Sequence, residues 1–207
     1  FDPPPMMMMA HHRAYQGGLA EGAGFAKCKD LFAWRYAVGQ VPPRAQRAYE
    51  AIQKMPEVTT RGIDLSRIEE DVRLIMDVFN DAWSENWGYV PATEREMQKM
   101  AKDFKLIAMP EITKLTFIDG EIAAVALALP NVNELIHDTG GKLFPTGALK
   151  LLWRLKVRGP RSVRLIILGI RKKWRNTRRY AGLSAALYVD MNHSSHLLGI
   201  RDAELSW

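Results

Sequence analysis

The stretch that decides the fold is Val163-Arg-Leu-Ile-Ile-Leu-Gly-Ile170, which runs directly into Arg171-Lys-Lys-Trp-Arg-Asn-Thr-Arg-Arg-Tyr-Ala-Gly-Leu-Ser-Ala-Ala-Leu187. The apolar first part predicts a buried strand, and the pattern that begins at Gly182 predicts a helix. A basic turn that contains a glycine joins the two. This order favours a pyrophosphate site, because the first amides of a helix lack internal acceptors and its dipole adds positive charge there.

The residue types around this helix start fit the same chemistry. Gly182 lets the backbone approach a ligand closely because it has no β-carbon, and small residues keep the first turn open. Arginines before the helix supply charge for phosphate groups. The predicted cofactor-binding residues are Leu168, Gly169, Ile170, Arg175, Arg178, Arg179, Gly182, Leu183, Ser184 and Ala185.

These two segments carry a resemblance to a known family. "LGI-x-x-x-W-R" followed by "R-x-x-G-x-S-A-A-L" resembles the acyl-CoA signature of the GNAT superfamily of N-acyltransferases. In that signature a strand ending in Leu-Gly-Val leads through Tyr-Arg to (Gln/Arg)-x-x-Gly-x-(Gly/Ala). Arg179, Gly182 and Ser184 match its last part, and Arg175 after Trp174 matches Tyr-Arg. The longer spacing leaves open which arginine takes the first position.

Other stretches resemble a bacterial branch of this superfamily with paired domains. They are Asn80 to Pro91, Leu143 to Gly147, and Glu21 to Arg35, of which the last resembles the end of a preceding GNAT-like half. The resemblance implies an α/β fold with a mixed sheet covered by helices, in a chain cut at both ends and incomplete at its C-terminus. It divides the chain into a remnant (1–40), a linker helix (41–57) and a GNAT-like domain (58–207).

The resemblance also implies a function. An acyl group, acetyl or longer, would pass directly from coenzyme A to the amine of a small-molecule or other amine-bearing acceptor. The pantetheine arm would pair with the backbone of Leu168, Gly169 and Ile170, in a gap between two splayed strands. The alternative is a GNAT-like module that binds coenzyme A, or only stabilises its neighbour, without turnover.

Acceptor and catalytic residues are predicted from position. Trp83 fits the apolar stripe of a helix and is predicted to be core, whereas Trp87 and Tyr89 fall in the following loop and are predicted to line the acceptor site. Glu204 lies on one face of the last strand, where a carboxylate could deprotonate an amine. A solvent-facing strand residue explains Glu204 equally well.

Composition sets the limits on these interpretations. The formal net charge is +6, and the block from Lys142 to Arg179 contains no acidic residue. Few aromatic residues interleave its cations, so we expect no nucleic-acid partner. The basic helix predicted over Ala148 to Arg158 is of a type that can lie on a membrane. Its apolar stripe is instead predicted to pack against the sheet, so no membrane partner is expected.

Smaller features complete the predictions. The single cysteine, Cys28, favours a reducing, cytoplasmic compartment. His193 and His196 have a spacing that suits a metal, but no third ligand is evident, so no metal is expected. Ser66 to Glu69 and Thr93 to Glu96 read as capping boxes. Lys27 to Tyr36 is predicted to dock as a strand on the sheet that the open edge of Ala203 to Trp207 leaves uncovered, in this chain or in a homodimer. The alternative is that the linking helix Arg44 to Met55 holds it away.

Overall fold

A computed structural model describes residues 5–10, 12–140, 142 and 144–206. The strands are β1 (Ala33–Ala37), β2 (Val58–Gly62), β3 (Thr113–Ile118), β4 (Glu121–Pro130), β5 (Ser162–Ile170) and β6 (Asp202–Ser206). The helices are α1 (Tyr15–Gly22), α2 (Pro43–Gln53), α3 (Ile68–Trp83), α4 (Glu94–Ile107), α5 (Val132–Ile136), α6 (Gly147–Trp153), α7 (Lys172–Arg175) and α8 (Leu183–Leu197).

The described strands form one mixed sheet in the order β1-β6-β5-β4-β3-β2. Strands β5 and β6 pair in parallel, and the other neighbouring pairs are antiparallel. The β3–β4 hairpin turns at Asp119 and Gly120, which both have positive φ, as the Asp-Gly pair predicts. The predicted α/β class with a mixed sheet is confirmed.

The core occupies both faces of the sheet, and β4 divides it. Ala124, Ala126 and Ala128 belong to the cluster that includes Leu183 and Leu187 of α8. Val125, Leu127 and Leu129 belong to the opposite cluster, which contains residues of α3 and α4. All six of these β4 side chains are at most 1% exposed. Small residues therefore let α8 approach the sheet closely, while larger ones fill the space beneath α3 and α4.

The two predicted capping boxes have different outcomes. Thr93 and Glu96 form the box at the start of α4, with both reciprocal hydrogen bonds present. The box predicted at Ser66 is wrong, because α3 begins at Ile68 and has no side-chain cap. Asp64 instead organises this entry: it accepts hydrogen bonds from the Ser66 amide and hydroxyl. These bonds lower the pKa of Asp64 to about 2.

The amino-terminal strand covers the edge of the sheet. Strand β1 pairs antiparallel with β6 from Ala33↔Ser206 to Ala37↔Asp202, which confirms the predicted docking within one chain. Arg35 also forms an ion pair with Asp202 at 2.8 Å. The strand begins at Ala33, six residues after the predicted start at Lys27. The division into 1–40, 41–57 and 58–207 stays a prediction, as does a homodimer.

Candidate active site

The site begins where β5 and β6 separate. They pair from Ser162↔Asp202 to Leu165↔Leu205, and β5 then continues to Ile170 beside β4 alone. The β4–β5 register shifts at the same point, so that Ile166 is an extra residue on β5. Such a bulge bends a strand and increases its twist. It therefore turns β5 away from β6 and frees one backbone edge of Leu168, Gly169 and Ile170.

An apolar cleft of about 830 Å³ lies at this separation. Its walls come from β5, β6, α3, α8, the loop after α3 and the segment before β1. The lining residues include Leu31, Phe32, Trp34, Phe79, Trp83, Tyr89, Val90, Leu168, Tyr188 and Leu205. A cleft with these walls offers an apolar ligand a large contact surface, with few polar groups to orient it.

Trp83 forms its wall because Gly169 leaves room for it. A β-carbon at Gly169 would lie 2.5 Å from the Trp83 ring. The Trp83 ring also stacks on Phe79, with centroids 5.0 Å apart. The prediction that Trp83 is simply a core residue is incomplete: it is half-buried, packs on the core beneath α3, and lines the cleft.

The two aromatic residues predicted for the acceptor site are separated by the structure. Tyr89 lines the cleft, where its hydroxyl donates to Asn80 Oδ1 at 2.6 Å and its ring packs on Phe79. Trp87 is exposed and forms a cation–π contact with Lys29, whose Nζ lies 5.3 Å from the ring centroid. Geometry therefore gives more support to Tyr89 than to Trp87 as an acceptor-site residue, and both roles stay predictions.

The basic loop after β5 is partly neutralised by carboxylates of the protein itself. Lys173 and Arg171 both pair with Glu121, and Lys172 pairs with Glu85. These contacts attach the loop to β4 and to the end of α3. The pKa of Glu121 and that of Glu85 are lowered, mainly by hydrogen bonds from Lys173 and Lys172 respectively.

The three predicted phosphate-binding arginines differ in their surroundings. Arg175 donates to the carbonyls of Ala82 and Ile170, at 2.8 and 3.3 Å, and so joins the end of α3 to the end of β5. Arg179 binds Glu57, with Nε to Oε1 at 2.9 Å. Arg178 is exposed and, within the described part of the chain, has no ion pair. Arg178 is thus the arginine most available to an added anion.

Among the residues that the structure describes, none offers a side chain that would compete with such an anion for the amides at the start of α8. Gly182 is its N-cap, no side chain caps it, and its first turn holds no acidic residue. The amides of Leu183, Ser184 and Ala185 lie in this first turn, where a helix provides no internal acceptor. The space beside Gly182 is taken by α2, because a β-carbon there would lie 3.2 Å from Ala48 Cβ. Gly182 therefore also serves helix packing, which the sequence interpretation missed.

Glu204, the predicted base, already has partners. Its Oε1 lies 3.5 Å from Arg164 Nε and accepts from the Ser206 hydroxyl at 2.9 Å. Arg164 and Ser206 themselves line the cleft. The catalytic role of Glu204 stays a prediction, and it requires a rearrangement of this network before the carboxylate takes up a proton.

Tyr188 is a polar cleft residue that sequence reasoning missed. It projects from α8 into the cleft that Leu168 and Leu205 also line, and burial raises the pKa of its hydroxyl. Its pattern in the sequence is that of an ordinary helical residue. Only the separation of β5 from β6 gives it access to a ligand.

The two histidines of α8 have structural surroundings. The His193 ring packs edge-on against Tyr49 of α2, with centroids 5.4 Å apart. Among the described residues, no group of three or more His, Cys, Asp or Glu side chains is arranged to hold a metal ion.

Two known bacterial proteins have sequences similar to this chain. The chain is 40% identical over its whole length to a bacterial ceramide synthase of Caulobacter vibrioides, and 33% identical to protein YghO of Escherichia coli. It spans about half the length of these curated relatives, 54% and 53% respectively. No family profile matches the chain.

The comparison with solved structures concerns the fold. A GCN5-related N-acetyltransferase from Sphaerobacter thermophilus superposes with a TM-score of 0.55 at 19% identity, covering 94% of this chain and 47% of that one. The chain therefore has the GNAT fold that its motif predicts.

Proposed function

We propose that this chain, which has the GNAT fold, is an acyl-CoA-dependent N-acyltransferase. The observation that carries the proposal is the presence of three features in one fold: the edge of β5 that β6 leaves unpaired, the apolar cleft beside it, and the uncapped start of α8 at the end of the basic loop. They are complementary to the three parts of an acyl-CoA, which are the amide-bearing pantetheine arm, the acyl chain and the phosphates.

The phosphate end fits the start of α8. The amides of Leu183, Ser184 and Ala185 would donate to phosphate oxygens, and the helix dipole favours negative charge at this end. Arg178 would add a charged hydrogen bond directly. Arg179 would exchange Glu57 for phosphate or would hold the loop through Glu57. Arg175 is assigned to the support of the loop, because its donors serve two protein carbonyls.

The pantetheine arm fits the free edge of β5. Leu168 and Ile170 direct backbone groups to this edge and can pair with an extended amide chain as a neighbouring strand would, with Arg175 sharing the Ile170 carbonyl. Gly169, between them, faces β4. Coenzyme A, when bound, supplies the acyl group as a thioester. The protein's part is to hold that thioester at the mouth of the cleft, where an acceptor amine can reach it.

The transfer joins the amine nitrogen to the carbonyl carbon, breaks the carbon–sulfur bond and moves one amine proton to the leaving thiolate. Tyr188, which lines the cleft, would supply a proton to that sulfur. A tyrosine hydroxyl is protonated at neutral pH, as a general acid requires. Glu204 remains the proposed acceptor of the amine proton, once Arg164 and Ser206 release it. Solvent then removes that proton from Glu204 and returns one to Tyr188, so that the net transfer is of one proton from the amine to the thiolate.

The cleft favours long apolar groups. Its volume of about 830 Å³ lies toward the upper end of small-molecule sites, and its lining is mostly aromatic and aliphatic. The relative at 40% identity is named a ceramide synthase. A ceramide is a long-chain amino alcohol with an acyl group on its nitrogen. We therefore assign a long-chain acyl-CoA as donor and a long-chain amino alcohol as acceptor.

The test is thiol release with acyl-CoAs from acetyl to palmitoyl, against long-chain amino alcohols and short polyamines, with the amide product identified by mass spectrometry. We expect turnover to rise with chain length for both partners. Leu205→Trp should narrow the cleft and reduce turnover with palmitoyl-CoA more than with acetyl-CoA. Coenzyme A binding without thiol release for any pair would identify a binding module and overturn the proposal.

A further inference from the structure

One helix carries apolar residues on its solvent side. Helix α6 continues into a π-helical turn, Arg154–Arg158. Gly147 and Leu155 face the protein and are buried. The outer side chains are Leu149 (69% exposed), Leu152 (51%), Trp153 (56%) and Val157 (68%). The prediction that the apolar stripe of this helix packs against the sheet is therefore wrong for these residues.

The four outer residues form one continuous stripe. Their positions follow the spacing i, i+3, i+4 and i+8, which places them along a single side of a helix. Phe144, in the loop just before α6, is 84% exposed. An exposed apolar stripe of this size is unusual on a folded domain and marks a surface that contacts something apolar.

Cations border the stripe. Lys156 and Arg158 belong to the same helical turn, Lys142 precedes it, and all three are exposed. Lys150 and Arg154 add charge, although both contact Asp138, at 2.9 and 2.6 Å. The sequence from 142 to 179 contains no acidic residue that would offset these charges.

We propose that this face, defined as Phe144, Leu149, Leu152, Trp153 and Val157 with their bordering cations, docks on an anionic phospholipid bilayer. An interfacial helix lies in the plane of the membrane, with apolar side chains among the acyl chains and cations at the headgroups. Tryptophan is favoured at that depth. No helix within the described residues is long and apolar enough to cross a bilayer, and surface docking requires none.

Charge favours this occupant over a second copy of the chain. A symmetric contact through this face would bring the bordering cations of both copies to one interface without carboxylates from the stretch 142–179, and like charges would oppose association. Anionic headgroups neutralise those cations while the stripe enters the acyl layer. The proposal does not depend on the acyl-transfer activity.

The experiment is flotation of the full chain with vesicles of phosphatidylcholine, with and without phosphatidylglycerol. We expect binding that increases with the anionic lipid. The triple variant Leu149→Ser, Trp153→Ser, Val157→Ser should lower the partition coefficient on the order of 100-fold. Lys156→Gln with Arg158→Gln should lower it roughly fivefold per charge, and only on anionic vesicles.

A matched control distinguishes binding through this face from non-specific adsorption of exposed apolar residues. Leu106 and Leu197 are 67% and 86% exposed on other helices, so Leu106→Ser with Leu197→Ser should leave partitioning unchanged. Insertion is measured directly with a polarity-sensitive dye on Leu152→Cys in a Cys28→Ser background, where we expect a blue shift on anionic vesicles.

Three outcomes would overturn the proposal. They are equal flotation of the triple variant and the original chain, an equal loss in the control variant, or no dye shift. Sedimentation of the same proteins distinguishes the other occupant: self-association that the triple variant abolishes, without vesicle binding, would assign the face to a second copy. Because the substituted side chains are exposed, thermal melting should confirm that each variant folds.

Discussion

The starts of α4 and α8 are built in opposite ways. At α4, Thr93 accepts from the Glu96 amide at 3.3 Å, and Glu96 accepts from the Thr93 amide at 2.8 Å, so the protein provides its own acceptors and negative charge. At α8, no side chain caps Gly182, and Arg178 and Arg179 stand before it. A domain able to close one helix start has left another open and electropositive, which is what a site for an external anion requires.

The two starts also differ in what their surroundings do. The α4 start is exposed and follows Val90, which lines the cleft, by three residues, and its reciprocal cap bonds involve Thr93 and Glu96 alone. The α8 start follows a strand edge that β6 leaves unpaired. The difference supports the proposed ligand role of the α8 start, and substitutions that make each helix start resemble the other can test it.

The largest effect should come from closing the α8 start. Ala185 holds the same position relative to its cap as Glu96 does at α4, so Ala185→Glu would place a carboxylate over the free amides. Losing two charge-assisted bonds should cost about 3–6 kcal/mol of coenzyme A binding free energy. Titration calorimetry measures this loss of binding free energy. The folding stability of the variant should not fall, since acidic residues favour a helix start.

Ala185→Gln is the control for that variant. It adds similar bulk without charge and should weaken binding far less. Equal losses in the two variants would mean that steric obstruction, and not the electrostatics of the helix start, governs the site.

A smaller effect should separate the arginines before α8. Arg178→Ala should weaken coenzyme A by about 1.5–3 kcal/mol without changing the melting temperature, because it removes one charged donor. Arg175→Ala should lower the free energy of unfolding by about 1–3 kcal/mol, because the Ala82 and Ile170 carbonyls lose their donor. Calorimetry and denaturant titration together distinguish the two; a reversal of these effects would refute the assignment of Arg175 to support.

The sequence predicts the elements of this comparison better than their surroundings. The strand before the loop, the helix start at Gly182 and the Thr93 box rest on contacts within a few residues, where local pattern is reliable. The Asp64 entry to α3 was missed because Ser66, which has the motif residue type, hydrogen-bonds backwards to Asp64. Asp64 and Ser66 both have residue types that can cap a helix start, and a local pattern cannot decide which of the two does so.

Long-range contacts account for the rest. Nothing near Gly169 in sequence indicates that Trp83 packs on it, and nothing near Arg175 indicates that it serves the Ala82 carbonyl. Tyr188 becomes a cleft residue only because a bulge at Ile166 turns β5 from β6. These features depend on where distant elements meet, so the sequence could indicate a phosphate site, which stays a prediction, but could not indicate that Trp83 and Tyr188 line a common cleft.

Opening the α4 start should have a modest effect that does not reach the ligand. Thr93→Ala should reduce the free energy of unfolding by about 1 kcal/mol, the usual cost of losing an N-cap. Coenzyme A affinity should not change. A loss of affinity comparable to that of Arg178→Ala would break the comparison, since it would show that the two starts are coupled.

The smallest expected effect is a pH dependence confined to the α4 start. The Thr93 amide, and then its hydroxyl, lower the pKa of Glu96 below its ordinary 4.5. A lowered folded-state pKa means that the stabilisation is fully present above pH 4.5 and is lost as pH falls through the folded value. The original chain should therefore have a higher melting temperature than Glu96→Gln at pH 7. The difference between the two melting temperatures should narrow as the pH falls below about 4.5. Other carboxylates titrate in both proteins and cancel in the difference. A gap that stays constant with pH would show that the charge of Glu96 does not stabilise this helix start, and would leave Thr93 as its sole cap.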